Sequence, residues 1–443
     1  MMAEGFQSWS HSREMHKYNT LPPIQPMVAW ITEFDLQGDY NFYNYSGKPG
    51  YIHSNSYTYL RHEDQLLFLG SVSEDSGYTY FKADFHHNLF SIYKDIDGKK
   101  LSRDDTLVIK IWITAQPTSH IRSVWETYAS YYPSQTPRRE LAGYSSWYDN
   151  YERITEEEVT RTLTAFKEHQ YPIDVFQIDD GYQMQIGDWL HVNEKKFPRG
   201  MQQLAQTIAD AGYLPGLWLA PFAVGINSKI VSEHSHWLIT EPDGRFMKAG
   251  PNWGGFYALD IYHPEVETYL QDVLDVVIDT WGYRLLKLDF LFAAAMRPRN
   301  GKSRGEIMWD AMALIDKLVR KRALLLGSGV PLAYAWGRMD YCRVSSDVSP
   351  WWDHTILRFA HVRERVATAN ALPSTLSRWP MVAMFGNDPD VFFIRSTNNK
   401  LTAHERYTTV ALNHAFGQIT LMSDNVQLYT AEEHQLYAST FPK

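Results

Sequence analysis

From about residue 140 onward the sequence alternates strand and helix patterns, and that alternation limits the folds open to it. GYSSWY is followed by the helical ITEEEVTRTLTAFKEH, and the apolar run IDVFQIDD by GMQQLAQTIADAG. LPGLWLAP, HPEVETYLQDVLDVVIDTW, RLLKLDF, RGEIMWDAMALIDKLVRKR and ALLLG continue the series, and CRVSS, MVAMFG and QITLMS supply further strand candidates. Short apolar runs set between segments of helical period are the pattern of βα units. Repeated over roughly 300 residues, they predict a (β/α)8 TIM barrel rather than an open sheet. No GxGxxG follows the first strand and no GxxxxGK[ST] occurs, so neither a dinucleotide fold nor a P-loop is indicated.

The stretch before the barrel has another character. MVAWITEFD, YNFYNYS, SYTYLRHEDQLLFLGSVS, YTYFKADFHHNLFSIYKDI and TLVIKIWITAQ are β-branched and aromatic runs separated by turn residues such as KPG and DIDGKK. They predict an antiparallel β-sandwich over residues 1–117. HIRSVWETYASYY has helical spacing and is expected to form a linker helix over 118–138, which leaves 139–443 for the barrel. The fold class is α/β, with the barrel preceded by a sandwich.

Composition narrows the partners. The net charge of −9 argues against nucleic acid, whose phosphates call for a cationic surface. No apolar run is long enough to span a bilayer, and MMAEGFQSWS lacks the pattern of a secretory signal. Cys342 is the single cysteine, which excludes an intrachain disulfide and a cysteine-rich zinc or iron–sulfur site. A cytoplasmic protein is expected. The 15 tryptophans suit a neutral, flat-faced ligand such as a sugar, although they equally suit a well-packed core.

In a barrel the chemistry sits at the C-terminal ends of the strands, and several candidate strands end in polar groups here. In RLLKLDF, alternation puts Leu285, Lys287 and Asp289 on one face, so Lys287 and Asp289 both point into the barrel mouth. A lysine beside a carboxylate keeps it ionised, as a nucleophile on an anomeric carbon must be; a structural ion pair is the plainer alternative. Asp347, in CRVSSDVSPWWD, has an aromatic setting that would raise its pKa and suit it to general acid work, while Arg343 could pair with it and lower it. A helix N-cap is the other role open to Asp347. Asp179 and Asp180 end an apolar strand, and adjacent carboxylates suit the vicinal hydroxyls of a sugar. A metal is the competing use of that pair, but no third acid stands at loop spacing. His234-x-His236 is a closely spaced histidine pair with no helical H-E-x-x-H, in a polar stretch expected at the surface, so neither a metal nor a cofactor is expected.

With these residues in view, the chain resembles glycoside hydrolase family 36, the α-galactosidases or melibiases. FQSWS (6–10), GYSSWYDNY (143–151), VFQIDDGY (175–182), GDW (187–189), KFPRGMQQLA (196–205) and GLWLAP (216–221) follow the family order. YALDIYHPEV (257–266), LLKLDFLF (285–292), GSGVPL (327–332), RVSSDVSPWW (343–352), NDPD (387–390) and LMSDN (421–425) continue it. The resemblance implies that Asp289 is the nucleophile and Asp347 the acid/base of a retaining enzyme. Their carboxyls would then lie about 5–6 Å apart. It also implies that Asp179 and Asp180 hold the galactose O4 and O6 region, and that Lys287 and Arg343 bind ring hydroxyls. Trp147 and Trp218 become pocket aromatics, Ser328 a small polar pocket residue, and Trp9 an aromatic edge from the sandwich.

The implied substrate is terminal α-linked galactose in melibiose- or raffinose-type sugars. Alternatives of the same family are an α-N-acetylgalactosaminidase, a galactosyl transferase and an inactive sugar-binding relative; a metal-dependent hydrolase would instead lose activity in EDTA. Tyr182 stands where many members have Trp, and Gly327–Ser328 replaces a cysteine-containing turn; both are expected to bear on the pocket. Both ends look short against the family. The sandwich is therefore expected to be incomplete, with its edges left to a fragment boundary or covered by a second subunit in a homo-oligomer.

Overall fold

The computed structural model describes residues 1–31, 46–133 and 138–442. The chain opens with β1 (Met2–Ala3) and β2 (Arg13–Glu14), an antiparallel pair, followed by the short helix α1 (Pro26–Ile31). Five of the residues expected to open a strand in MVAWITEFD thus lie in a helix, with Pro26 at its first position, where a missing N–H costs nothing. YNFYNYS falls almost wholly outside the described residues. Next come β3 (Tyr51–Asn55), β4 (Tyr57–His62), β5 (Gln65–Ser71), β6 (Thr79–Asp84), β7 (Leu89–Lys94) and β8 (Ile111–Pro117). They form two three-stranded antiparallel sheets, in the orders β3–β6–β7 and β4–β5–β8. Within the 118–138 expected to form a linker helix lies α2 (Ile121–Ala129), shorter than that span, whose Trp125 and Tyr128 are buried against Phe68. Trp125 and Tyr128 also meet Trp336 edge-on, joining sandwich to barrel.

The barrel begins with β9 (Leu141–Ser145), then the short α3 (Trp147–Asn150), α4 (Glu156–Glu168), β10 (Val175–Ile178), α5 (Gly200–Asp210) and β11 (Leu214–Leu219). An excursion follows, with β12 (Ala223–Gly225), α6 (Lys229–Glu233), β13 (Lys248–Gly250) and β14 (Phe256–Ala258). The barrel resumes with α7 (Pro264–Asp275), β15 (Leu285–Leu288), α8 (Arg304–Val319), β16 (Leu324–Gly327), α9 (Leu332–Ala335) and β17 (Tyr341–Arg343). It ends with α10 (Thr355–Phe359), α11 (Thr368–Arg378), β18 (Gly386–Asp388), β19 (Val391–Phe392), α12 (Ala403–Phe416), β20 (Ile419–Met422) and α13 (Ala431–Ala438). Local chemistry sets several helix starts. Ser303 with Glu306 and Thr402 with Glu405 form capping boxes that satisfy otherwise orphaned amides.

All the barrel pairings are parallel, in the order β18–β17–β16–β15–β11–β10–β9–β20–β19. β18 and β19 stand at opposite ends of that order yet are separated only by Pro389 and Asp390, the latter at φ 75°. They are two halves of one interrupted seventh strand: the first half pairs with β17, the second with β20, and together they close the ring. The strand expected at MVAMFG begins only at Gly386; Trp379–Ala383 form a 3-10 turn led by Trp379–Pro380. Among the described residues no helix is long and apolar enough to cross a membrane.

The first residues are tied into the barrel. Arg378 is fully buried and donates to both oxygens of Glu4, with Nε at 2.9 and 3.1 Å. Its remaining donors reach the carbonyls of Ser8, Gln7 and Val344. Removing one charge of such a pair strands the other in a dry interior. Glu4→Gln should therefore lower unfolding free energy in urea by about 3–5 kcal/mol. A loss under about 1 kcal/mol, the size of an exposed pair, would show the link to be peripheral.

Candidate active site

The strand ends surround one cavity of about 490 Å³, within the size range of small-molecule pockets. Among the described residues its lining includes six acids, Glu152, Asp179, Asp180, Asp289, Asp347 and Glu364, against two cations, Lys287 and Arg343. Trp9, Trp147, Trp218 and Trp253 supply aromatic wall.

Lys287 projects from β15, but its direct partner is not the nearby Asp289. Its Nζ reaches past the intervening strand β11 and donates to Asp179 Oδ2, beyond the end of β10, at 2.8 Å. Burial works against the ammonium, yet Asp179, and more weakly Asp289 and Asp390, outweigh it, so its pKa lies above the ordinary lysine value. Asp289 is held instead by neutral donors. Trp218 Nε1 reaches Oδ2 at 2.9 Å, and the Phe290 amide reaches Oδ1 at 3.1 Å. Phe290 adopts φ 52°, a left-handed conformation unusual for a bulky residue, and strain of about 1–3 kcal/mol is typical of such positions at functional sites.

Besides Lys287, Asp179 accepts from Gln177 Nε2 at 2.7 Å and from the Asp180 amide at 3.0 Å, three donors that leave about one of a carboxylate's four acceptor sites open. Asp180 accepts from Gln183 Nε2 at 2.6 Å and Trp253 Nε1 at 2.8 Å. Burial pushes its pKa up to about 6; those two hydrogen bonds hold it down, and Asp179 adds to the rise. Two protein donors leave about half of a carboxylate's acceptor capacity for a ligand.

Arg343 is buried at the end of β17 among three carboxylates. Nη1 reaches Asp347 at 2.7 Å, Nη2 reaches Asp390 at 2.7 Å, and Nε reaches Asp388 at 3.3 Å. The interrupted seventh strand delivers the latter two acids. Asp347 turns toward the cavity, where its side chain keeps some access to solvent while protein encloses its other sides. Its pKa is pushed up to about 6 by burial, with Arg343 opposing, Asp390 raising, Lys287 lowering and Asp289 raising. The competition left open in the sequence thus goes to burial rather than to Arg343.

Trp147, on α3, and Trp218 line the cavity. Trp9 does too: it packs edge-on against Phe290 at 4.9 Å and Phe292 at 5.9 Å. Ser328 does not line the cavity; it lies beneath Trp9 and accepts its indole N–H at 2.9 Å. Gly329 makes that approach possible, because at φ +58° a Cβ would come within 2.9 Å of Trp9 and of the Phe290 amide. Tyr182 is buried edge-on to Trp281 and, like Gly327, is absent from the wall, so neither departure touches the cavity directly. Sequence reasoning missed Trp253, which sits at φ 56° in NWGG with no periodicity to mark it. It also missed the roles of Gln183, Asp388 and Asp390, although NDPD was visible as a motif.

A parallel barrel with paired acids at its strand ends, set in an aromatic cavity, is the architecture of a barrel glycosidase. The Melibiase family profile matches residues 144–305. TtGalA, an α-galactosidase from Thermus thermophilus solved in complex with stachyose, is 30% identical, with a TM-score of 0.84 over 100% of this chain and 90% of that one. The chain therefore belongs to the α-galactosidases of glycoside hydrolase family 36. Among curated relatives, Alpha-galactosidase 1 of Pediococcus pentosaceus is 25% identical over 174 residues, 36% of this chain and 23% of that protein. Myogenesis-regulating glycosidase of Mus musculus is 29% identical over 145 residues, 31% of this chain and 20% of that protein. These matched stretches thus span about a fifth of each curated relative's length.

Proposed function

We propose that the protein hydrolyses terminal α-linked galactosides of the melibiose or raffinose type by double displacement, with Asp289 as nucleophile and Asp347 as acid/base. The observation that carries this is the unequal treatment of two acids on one cavity. Asp289 is oriented by two neutral donors, while Asp347 is pushed up to about 6 and so keeps its proton in mildly acidic solution. In the first step an Asp289 oxygen bonds to the anomeric carbon as the glycosidic bond breaks, and the Asp347 proton passes to the leaving oxygen. In the second, Asp347 takes a proton from water, whose oxygen displaces Asp289 and restores the original configuration. This scheme needs the carboxyls at the spacing of a retaining pair, about 5–5.5 Å. Asp179, Asp180, Lys287 and Arg343 supply the hydroxyl-binding groups, and Trp147 and Trp218 the flat walls. The buried, reduced Cys342 is in keeping with work in the cytoplasm.

The test is the wild-type chain on p-nitrophenyl α-galactoside and p-nitrophenyl α-N-acetylgalactosaminide, with the released sugar followed by proton NMR. The expected result is preferential turnover of the first, with the α-anomer of galactose appearing before mutarotation. Preference for the acetamido sugar would reassign the substrate. The β-anomer appearing first would overturn the mechanism.

A further inference from the structure

The excursion between β11 and α7 delivers Trp253 to Asp180, and its root carries a cluster with no part in that chemistry. His234 ends α6, and a 3-10 turn over Ser235–Trp237 follows. The candidate ligand atoms of His234, His236 and Glu265, the last on the first turn of α7, lie within 4.8 Å of one another. Two of the three side chains are already oriented. The His234 ring lies flat on the Trp237 indole, centroids 4.1 Å apart and planes at 16°. Trp237 Nε1 donates to Glu265 Oε2 at 2.8 Å, and His236 Nε2 lies 3.2 Å from the same oxygen. A hydrogen-bond donor behind a carboxylate is how proteins aim a metal ligand. A plain surface pair of imidazole and carboxylate would need His236 alone; here a second imidazole converges on the same spot. Both His236 and Glu265 are open to solvent, so an ion can enter.

We propose that His234, His236 and Glu265 bind one divalent transition-metal ion of the Zn²⁺ type, with water completing its coordination. Two imidazoles and one carboxylate suit zinc, whereas Mg²⁺ and Ca²⁺ want shells of oxygen. The ion ties the root of the Trp253-bearing excursion to α7, and each imidazole binds in its neutral form, releasing any proton to solvent. The role is structural, because none of the three residues lines the cavity.

The experiment is calorimetric titration of the full chain, untagged and stripped with EDTA, with Zn²⁺. The expected result is saturable binding of a single equivalent, and a thermal midpoint that rises with Zn²⁺ but not with Mg²⁺. His236→Ala and Glu265→Gln should each weaken binding by more than the roughly 10–100-fold that even an outer hydrogen-bond partner is worth. Co²⁺ in place of zinc should show the visible absorption of a tetrahedral site in the wild type and lose it in His236→Ala. Absence of saturable Zn²⁺ binding, or binding that both variants keep, overturns the proposal. Either outcome leaves the glycosidase assignment standing, since that is tested on galactosides alone.

Discussion

Asp289→Asn should lower turnover of p-nitrophenyl α-galactoside by about 10⁴-fold or more, a scale set by losses at other covalent nucleophiles. Galactose binding should survive, because the amide keeps the size of the carboxyl and can still accept from Trp218 or Phe290. A second variant separates chemistry from folding. In Asp289→Ala, added azide should restore part of the rate and yield β-galactosyl azide, the small anion entering from the side the carboxylate has left. A fall of only a few-fold, with no azide product, would remove Asp289 from the nucleophile's role.

Asp347→Asn should have the next largest effect, and its size should depend on the leaving group. Melibiose, whose departing oxygen needs a proton, should lose about 10²–10⁴-fold, whereas p-nitrophenolate leaves unaided and its departure should be much less affected. The pH profile carries the same information. Burial raises the Asp347 pKa from 3.8 to about 6, so the acid form persists through mildly acidic solution and is lost as pH rises past about 6. Wild-type kcat/KM on melibiose should fall along that alkaline limb, and Asp347→Asn should flatten it. A limb surviving unchanged in the variant would belong to Asp180, which also titrates near 6.

The parts of this molecule legible in the sequence are those fixed by local periodicity. Alternation in RLLKLDF placed Lys287 and Asp289 on the cavity side, and DD at the end of an apolar run placed Asp179 and Asp180 at a barrel mouth. What stayed hidden depends on partners far along the chain. Lys287 reaches past Asp289 to Asp179, 108 positions away, because β11 alone separates their strands. Ser328 reads as a pocket residue until Trp9, 319 positions distant, is seen lying over it. The same cause hid Trp253, a tryptophan in an irregular turn whose partner is Asp180. The seventh strand, expected at MVAMFG but beginning only at Gly386, was misplaced for a local reason: Pro389 and Asp390 break it into pieces too short to show a period.

Among the described residues, the imbalance of six acids against two cations around the hollow bears on which molecules it will admit. Uronic acids and sulfated galactose would bring negative charge into a field of like sign. A ring bearing a protonated nitrogen would meet the opposite reception, because its charge is of the sign that this field draws in.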